Sequence, residues 1–306
     1  ISGPVVFDVV TGTGPYTEQL ILDSIAGTSA ANTVTFRGNG NTIQFNSSNT
    51  AERAVIKLKR TDFIIFDNLV IDATLAGNTF GYGVQLFNNA DNNIIRNCTI
   101  KIPDNSTSTN YGGIIINASE TAAVTTGSTL CDGNLIENNT ITGGYYGITC
   151  VGGTTEQLED NVIIRNTIKD FYQYGIYLGP TLGTLVEKND ISRPTRTGVT
   201  AFYGVYVTGL NTAINISKNK IHNPFGGNLA STSVFNGIYF TGVDAPLGSE
   251  NFITNNLIYK INGEGAQYGL YNTGSNNSWY YHNTVSLDDL TTSSTALTRG
   301  FFQTTD

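Results

Sequence analysis

Acid–base cleavage of a polymer requires two carboxylates, or a basic side chain beside carboxylates, on one face of a fold. The chain contains one adjacent pair of aspartates, Asp288 and Asp289, which lies in the Thr- and Ser-rich stretch SLDDLTTSST. The two histidines, His222 and His282, are far apart in sequence and lack the spacing of metal ligands. No cluster of Lys or Arg aligns with two or three carboxylates on one outward face. We therefore predict no catalytic residue and no metal site.

Three cysteines, Cys98, Cys131 and Cys150, offer a second kind of chemistry. Their number is odd and small, so disulfides are not expected to be the main support of the fold. We interpret all three as buried, small apolar groups rather than as nucleophiles. One bridge, between Cys131 and Cys150, stays open as an alternative.

Charge is sparse and acidic, since 16 Lys and Arg stand against 24 Asp and Glu and give a net charge of −8. Nucleic acid is not an expected partner, because phosphate neutralisation needs clustered cations. Direct membrane insertion is not expected either, because the sequence has no basic amphipathic stretch and no apolar run of the ~20 residues that span a bilayer. Calcium held by scattered Asp side chains and backbone carbonyls is the one cofactor left open, although no Asp-rich loop template is found.

The most regular aromatic pattern follows a repeated block of Gly, apolar, any and apolar residues. In GIYL, GVYV, GIYF, GLYN and GFFQ the apolar residues alternate with the central ring, so they face the core and the ring faces outward. The glycines are expected on the outward side, where each leaves a shallow shelf beside a ring. The predicted outward column is our candidate ligand-contact site and consists of Tyr177, Tyr206, Tyr239, Tyr271 and Phe302.

Two interpretations of this aromatic column stay open. Tyr is common in strands, and stacked neighbours stabilise each other modestly. Alternatively the column is a platform for sugars or a contact surface for a protein, because an exposed apolar column of this length is unusual on a surface without a partner. Earlier copies carry Gln85, Ile115 and Thr149 at the ring position, and insertions at 103–111 and 222–235 are candidates to fold over the column.

A second pattern, apolar–apolar–x–x–Asn–x–apolar, returns at intervals of 23 to 41 residues. A buried Asn is costly unless its amide is hydrogen-bonded. In a stack of repeats each amide can donate to the next, as in known Asn ladders. Asn41 is a weaker first copy, and Cys98 stands in the Asn place of another copy. The predicted structural ladder consists of Asn68, Asn139, Asn166, Asn189, Asn219, Asn256 and Asn283.

These short strand patterns need a stacked architecture, because one repeat cannot bury its apolar face alone. No segment shows a sustained helical period. We predict an all-β fold, a parallel β-helix with about nine recognisable coils. It forms one domain over 1–306, with opening coils in 1–36 and repeated coils in 37–306. The chain contains no Met and starts at Ile1, so we expect it to be a fragment of a longer chain.

With these repeats the chain resembles the right-handed parallel β-helix proteins of the pectin-lyase-like superfamily. Its opening, GPVVFDVVTGTGPYTEQLILDSIAGTSAANTVTFRG, is similar to the first coils of large surface proteins of Bacteroidetes-type bacteria that are exported by the type IX system. The resemblance covers essentially the whole chain and implies a right-handed fold and a secreted or cell-surface location. A fold alone implies no particular activity.

The catalytic motifs of that superfamily match this sequence poorly. Polygalacturonase-like enzymes carry a His between glycines, which neither histidine here provides. GPYTEQLIL resembles the opening motif of pectin methylesterases, but their catalytic Asp and Gln blocks are absent, so Tyr16 and Glu18 are interpreted as structural. SRPTRTG resembles the Arg-Pro motif of pectate lyases with different spacing, and we expect Arg193 and Arg196 to lie in a solvated loop.

The sequence favours a non-catalytic module of a large secreted protein, an adhesin or spacer with glycan contact along the aromatic column. Its expected partners are a polysaccharide or a protein of the cell surface or secretion system. No cofactor is expected. The alternative is a polysaccharide lyase or glycoside hydrolase whose catalytic residues do not match known motifs.

Overall fold

A computed structural model describes 1–77, 79–287, 289 and 296–304 of the 306 residues. This part of the chain contains strands and turns and no helix, and therefore no helix that could cross a membrane. The strands form three sheets of ten strands each and a small sheet of three strands. Successive strands of each sheet come from successive coils and pair in parallel.

The first long sheet, sheet A, contains β1 (Val5–Asp8), β4 (Val34–Arg37), β7 (Ile64–Asp67), β10 (Ile94–Arg96), β13 (Leu135–Glu137), β17 (Val162–Ile164), β21 (Leu185–Glu187), β25 (Asn215–Ser217), β28 (Asn251–Thr254) and β31 (Ser278–Tyr281). Sheet B contains β2 (Tyr16–Thr17), β5 (Thr42–Gln44), β8 (Val70–Asp72), β11 (Thr99–Lys101), β14 (Thr140–Thr142), β18 (Thr167–Lys169), β22 (Asp190–Ser192), β26 (Lys220–His222), β29 (Leu257–Tyr259) and β32 (Thr284–Val285).

Sheet C contains β3 (Leu20–Leu22), β6 (Ala54–Lys59), β9 (Gly81–Phe87), β12 (Tyr111–Ile116), β15 (Tyr146–Cys150), β19 (Tyr174–Leu178), β23 (Phe202–Thr208), β27 (Phe235–Thr241), β30 (Gln267–Thr273) and β33 (Thr298–Thr304). The small sheet contains β16 (Leu158–Glu159), β20 (Thr181–Leu182) and β24 (Asn211–Thr212).

This arrangement is a parallel β-helix, so the predicted all-β fold is confirmed. Each coil contributes one strand to sheets A, B and C in turn, and there are ten coils rather than about nine. The additional coil is the first, β1 to β3, which carries no copy of the Asn pattern. The second coil begins at β4.

The core follows from the alternation of side chains along each strand. In sheet B the central residue of each short strand points inward, and Ile100, Ile141 and Ile168 are fully buried. The residues that flank them, such as Thr140 and Thr142, point outward and are partly exposed. Stacked coils place the inward residues about 4.8 Å apart and join them into one continuous apolar core.

A column of asparagines occupies the turn between sheets A and B. The Nδ2 of Asn166 donates to Asn189 Oδ1 at 3.0 Å and to the carbonyl oxygen of Ile136 at 2.9 Å. The backbone N–H of Asn166 donates to the same Asn189 oxygen at 2.9 Å. The side-chain contact repeats at 2.9 to 3.0 Å along Asn139, Asn166, Asn189, Asn219, Asn256 and Asn283.

Asn68 does not belong to this column, and its assignment to the ladder was wrong by one residue. Asp67 pairs with Arg96, which places Asn68 beside Asn97 and Leu69 beside Cys98. Asn68 is exposed with φ +57°, and the buried Leu69 stands in the ladder position. In the run IIFDNLV, Ile64 and Phe66 point inward, so the strand is shifted by one residue from the register that the Asn pattern assigned. Such a shift exchanges the two faces of a strand.

The residue before each ladder position has a left-handed backbone conformation. Asn tolerates this conformation, as at Asn97 and Asn138, but Arg165, Lys188 and Lys218 also adopt it, with φ between +56° and +57°.

A second buried column of Asn, not predicted from the sequence, occupies the turn between sheets C and A. There Asn93 Nδ2 donates to Asn134 Oδ1 at 3.1 Å.

Candidate functional site

The outer face of sheet C carries the predicted aromatic column. Strand register places each of its five rings directly opposite the next. The ring centroids are 4.9, 5.5, 4.7 and 5.0 Å apart in order along Tyr177, Tyr206, Tyr239, Tyr271 and Phe302. All five side chains are half-buried, because each ring covers part of its neighbours.

A second column of rings lies beside the first and was missed by the sequence analysis. Tyr146, Tyr174 and Tyr203 are in register, with centroids 5.5 and 5.0 Å apart. Asn236 takes the next position, and Tyr268 resumes the column 4.9 Å from Tyr271. The signal was present in the sequence, because YG precedes the apolar residues of three of the blocks.

The glycines explain why two tyrosines of one strand share a face. Tyr174 and Tyr177 are three residues apart, and a regular strand would point them to opposite faces, yet their centroids are 5.3 Å apart. The strand pairing passes over Gly175 and Gly204 alike, so the two-residue alternation breaks at this point on both strands. The predicted glycine shelf is wrong, because Gly175 and Gly204 are buried. A Cβ at Gly204 would lie 2.5 Å from the carbonyl oxygen of Gly237.

A loop covers the part of sheet C that precedes the rings. Residues 117–126 fold back over this sheet, where Gln85 Nε2 donates to Ser119 O at 3.0 Å and Thr149 Oγ1 donates to Ala123 O at 3.0 Å. Ala123 is buried with Tyr82, Ile115 and Tyr146. The covered coils carry Gln85, Ile115 and Thr149 at the position where later coils carry a ring. We call the rings beyond this loop the aromatic strip: Tyr174, Tyr177, Tyr203, Tyr206, Tyr239, Tyr268, Tyr271 and Phe302.

The two insertions that were candidates to cover the column contact neighbouring loops. In 103–111, Ser106 O accepts a hydrogen bond of 2.6 Å from Arg196. In 222–235, Asn228 Nδ2 donates to Thr197 O at 3.3 Å. Both insertions connect sheet B to sheet C, so they stand at one edge of the aromatic strip.

Arg193 and Arg196 hold this loop edge together, and the prediction of a solvated loop for them was wrong. Arg193 is fully buried and donates to the carbonyl oxygens of Pro224 (2.7 Å), Thr200 (2.8 Å) and Tyr172. Burial, together with the nearby Arg196, lowers the pKa of Arg193 to about 9, so it stays charged at neutral pH. Both guanidinium groups donate hydrogen bonds to backbone carbonyls, which favours a structural role for the two arginines.

The rings present a neutral surface. Burial raises the pKa of Tyr177 to about 12 and also raises those of Tyr174, Tyr203 and Tyr206, so these hydroxyls remain protonated at physiological pH. Arg299, which is in register with Tyr268, adds a cation beside the strip, and its guanidinium lies 3.7 Å from the centroid of Phe302. This surface can stack flat apolar faces and exchange hydrogen bonds at the hydroxyls.

The other candidate residues lie apart from the strip. Tyr16 and Glu18 line an apolar cavity of about 490 Å³ at the first coil. Asp288 lies outside the described residues, which leaves its pairing with Asp289 undescribed. Within the described ranges, no group of three or more His, Cys, Asp or Glu side chains is placed to hold a metal ion.

The three cysteines are free and buried, so the alternative bridge between Cys131 and Cys150 is not formed. Burial raises the pKa of Cys98 to about 11 and that of Cys131 to about 12. Both are therefore thiols rather than reactive thiolates at neutral pH.

Several solved structures resemble the chain at low identity. They include the GH136 lacto-N-biosidase from Eubacterium ramulus (11% identity, TM-score 0.49, 98% of this chain and 60% of that one) and the pectate lyase Pel9A (12%, 0.43, 96% and 71%). The A-module of the mannuronan C-5 epimerase AlgE4 from Azotobacter vinelandii is similar at 11% identity and a TM-score of 0.41, over 94% of this chain and 85% of that one. The chain spans 60% of the length of the lacto-N-biosidase.

No curated protein sequence matches the chain significantly. The family model described as the right handed beta helix region matches residues 104–285, which is more than half of the chain. This match agrees with the ten stacked coils and with the handedness that the resemblance implied. The chain belongs to the right-handed β-helix family.

Proposed function

We propose that the chain is a non-catalytic module of a secreted protein and that it holds a polysaccharide along the aromatic strip. The observation that carries this proposal is the in-register stacking of Tyr177, Tyr206, Tyr239, Tyr271 and Phe302 on one open face. Four steps of about 4.8 Å make this column about 19 Å long, which suits a linear polymer better than a small molecule.

The chemistry of the strip favours the rings of a neutral glycan. Sugar rings have apolar C–H faces that stack on aromatic rings, and their hydroxyls bond to polar groups at the rim. Burial raises the pKa of the Tyr177 and Tyr203 hydroxyls, which therefore stay neutral, and the strip carries no carboxylate among the residues that define it. A role as adhesin or spacer outside the cell, with export by the type IX system, is supported by the resemblance of the opening residues.

Affinity electrophoresis tests this function. The protein runs through native gels cast with hydroxyethyl cellulose, galactomannan or xylan, and each gel is then stained for polymer. We expect retarded migration on at least one polymer without clearing. The double variant Tyr206→Ala with Tyr239→Ala should lose the retardation, whereas Tyr206→Phe with Tyr239→Phe should keep most of it.

Tyr281→Ala is the matched control, because Tyr281 is 41% exposed on sheet A, away from the strip. It should migrate like the unmodified protein. A cleared track would overturn the non-catalytic proposal and favour a lyase or hydrolase. No retardation on any polymer would overturn glycan binding by the strip.

A further inference from the structure

Most Lys and Arg side chains of this acidic chain already have a partner within the protein: a carboxylate, a backbone carbonyl or an aromatic ring. All 16 Lys and Arg lie in the described residues. The ones within 4 Å of a carboxylate are Arg37, Lys57, Lys59, Arg60, Arg96, Arg165, Lys188 and Lys218. Arg53, Arg193 and Arg196 bond to backbone carbonyls, and Arg299 stacks on a ring.

The four remaining cations share one face. Lys101, Lys169 and Lys220 lie on strands of sheet B, and Lys260 directly follows the sheet B strand β29. Within the described part of the chain none of them has a carboxylate at ion-pair distance. Lys101, Lys220 and Lys260 are exposed, and Lys169 is half-buried.

Strand register sets the spacing of these charges. Lys101 is opposite Thr142, which is opposite Lys169, so the backbones of the two lysines stand two coils, or about 10 Å, apart along the helix axis. His222 stands two further coils along the same column, beyond Ser192. Lys101 and Lys169 therefore stand on alternate coils, and the next position at this spacing is a histidine that contacts Asp190.

A groove runs beside the first two of these lysines. Its volume is about 540 Å³, and Lys101 and Lys169 line it together with Thr99, Thr140 and Pro103. The neighbouring column carries the hydroxyls of Thr99, Thr140 and Thr167 in register. These groups provide hydrogen-bonding partners next to the charges.

Carboxylates also face this surface. Asp72 precedes Lys101 in the column, and Asp104 lines the groove. Asp190 Oδ1 lies 2.9 Å from His222 Nε2. This mixture disfavours a densely charged polymer such as duplex DNA, which carries one charge per ~1.7 Å. It suits a polymer whose negative charges are far apart.

We propose that the outer face of sheet B is a second binding site, for an acidic polysaccharide that lies along the helix axis with its carboxylates or sulfates at Lys101 and Lys169. This site is independent of the aromatic strip, which lies on a different sheet. The polymer's anionic groups pair with the lysines, and its hydroxyls bond to the threonine column. Binding is electrostatic and weakens as salt concentration rises.

Affinity electrophoresis with polygalacturonate and alginate tests this site, with fully methyl-esterified polygalacturonate as the uncharged control polymer. We expect retardation on at least one charged polymer, and none on the esterified one for the variant Tyr206→Ala with Tyr239→Ala, in which the strip no longer binds neutral glycans. Lys101→Gln with Lys169→Gln should weaken the affinity about tenfold, which corresponds to two modest ion pairs.

The matched control is Lys188→Gln with Lys218→Gln, which removes the same charge from lysines that pair with Glu187. It should change the affinity less than twofold, and the double variant Tyr206→Ala with Tyr239→Ala should still bind. Equal losses in the two lysine variants, or no binding of either charged polymer, would overturn the proposed site.

Discussion

Asn166 and Asn189, on successive coils, are joined by two hydrogen bonds to one oxygen. Asn189 Oδ1 accepts from the Nδ2 and from the backbone N–H of Asn166, at 3.0 and 2.9 Å. Asn189 then makes the same two contacts with Asn219. Each amide thus links the turn of its own coil to the next, and the column holds the sheets in the register that aligns the aromatic strip.

Substitution of one ladder residue should weaken the fold strongly. Asn166→Ala leaves the carbonyl of Ile136 without its donor and removes one of the two donors to Asn189 Oδ1, and it removes the acceptor for Asn139. We expect the free energy of unfolding, measured by urea denaturation, to fall by about 3 kcal/mol.

Asn68→Gly is the control for this substitution, because Asn68 is exposed and its left-handed backbone suits glycine. Its free energy of unfolding should change by less than about 1 kcal/mol. A loss as large as that of Asn166→Ala would contradict the assignment of Leu69, rather than Asn68, to the ladder position.

The glycine beside each tyrosine of the first column should not tolerate a side chain. In Gly204→Ala the added Cβ would lie 2.5 Å from Gly237 O and 2.8 Å from Ile221 Cγ2, so the coils would have to separate. We expect a loss of about 2 kcal/mol in the free energy of unfolding. Gly198→Ala is the comparison, since a methyl group added there would have no atom within 4 Å and its φ is not left-handed. Similar stabilities of the two variants would refute the close approach.

Because Arg193 is buried and hydrogen-bonded, its substitution should lower the free energy of unfolding strongly. Arg193→Met leaves the carbonyls of Pro224, Thr200 and Tyr172 without a donor. We expect the free energy of unfolding to fall by about 3 kcal/mol. Arg37→Met should have little effect, because the Arg37 side chain is 48% exposed and its partner Asp8 is similarly exposed. If chemical denaturation showed equal losses, the loop-clamp role of Arg193 would be wrong.

A pH dependence follows from Asp91, which lies in a chain of aspartates at the turn before sheet A. Burial, reinforced by Asp62 and Asp132, raises the pKa of Asp91 from 3.8 to about 6. Because the folded state holds the proton more tightly than the unfolded state, this carboxyl lowers stability as pH rises from about 4 to about 6.

Asp91→Asn removes this loss and keeps an oxygen that can accept the hydrogen bond from the Asp132 N–H. The variant should be more stable than the unmodified protein by about 1 kcal/mol at pH 7, after allowance for solvent screening, and by much less at pH 4. Urea denaturation at both pH values measures the difference. Glu156→Gln, an equal charge change at an exposed site, is the comparison for the effect of net charge alone. An identical effect of Asp91→Asn at both pH values would contradict the shift.

Much of the fold could be predicted because its repeats are local. Alternation of apolar residues around Tyr177 and Tyr206 identifies the face that points outward. The same rule does not find Tyr174, because strand pairing skips Gly175 and the two-residue period breaks there. Asn68 was misplaced for a different reason. Ile64 and Ile65 are both apolar, so the sequence fits two strand registers that differ by one residue.

The parts that escaped prediction depend on contacts between distant residues. Arg193 is buried against Pro224 of the segment 222–235 and against Tyr172 and Thr200, and the repeat pattern does not show that these residues meet. Lys101 and Lys169 share a column because the longest insertions leave the strands before and after them in register. Such alignments require the coil boundaries to be known first.

Hydroxyl-radical footprinting tests the central claim, that the aromatic strip holds a glycan, most directly. The protein is oxidised with and without the neutral polysaccharide that retards it most in the gel, and the oxidation of each tyrosine is measured by mass spectrometry relative to Tyr281. We predict that Tyr206, Tyr239 and Tyr271 become protected while Tyr259 on sheet B does not. Unchanged oxidation of these three tyrosines, or equal protection of Tyr259, would contradict the account.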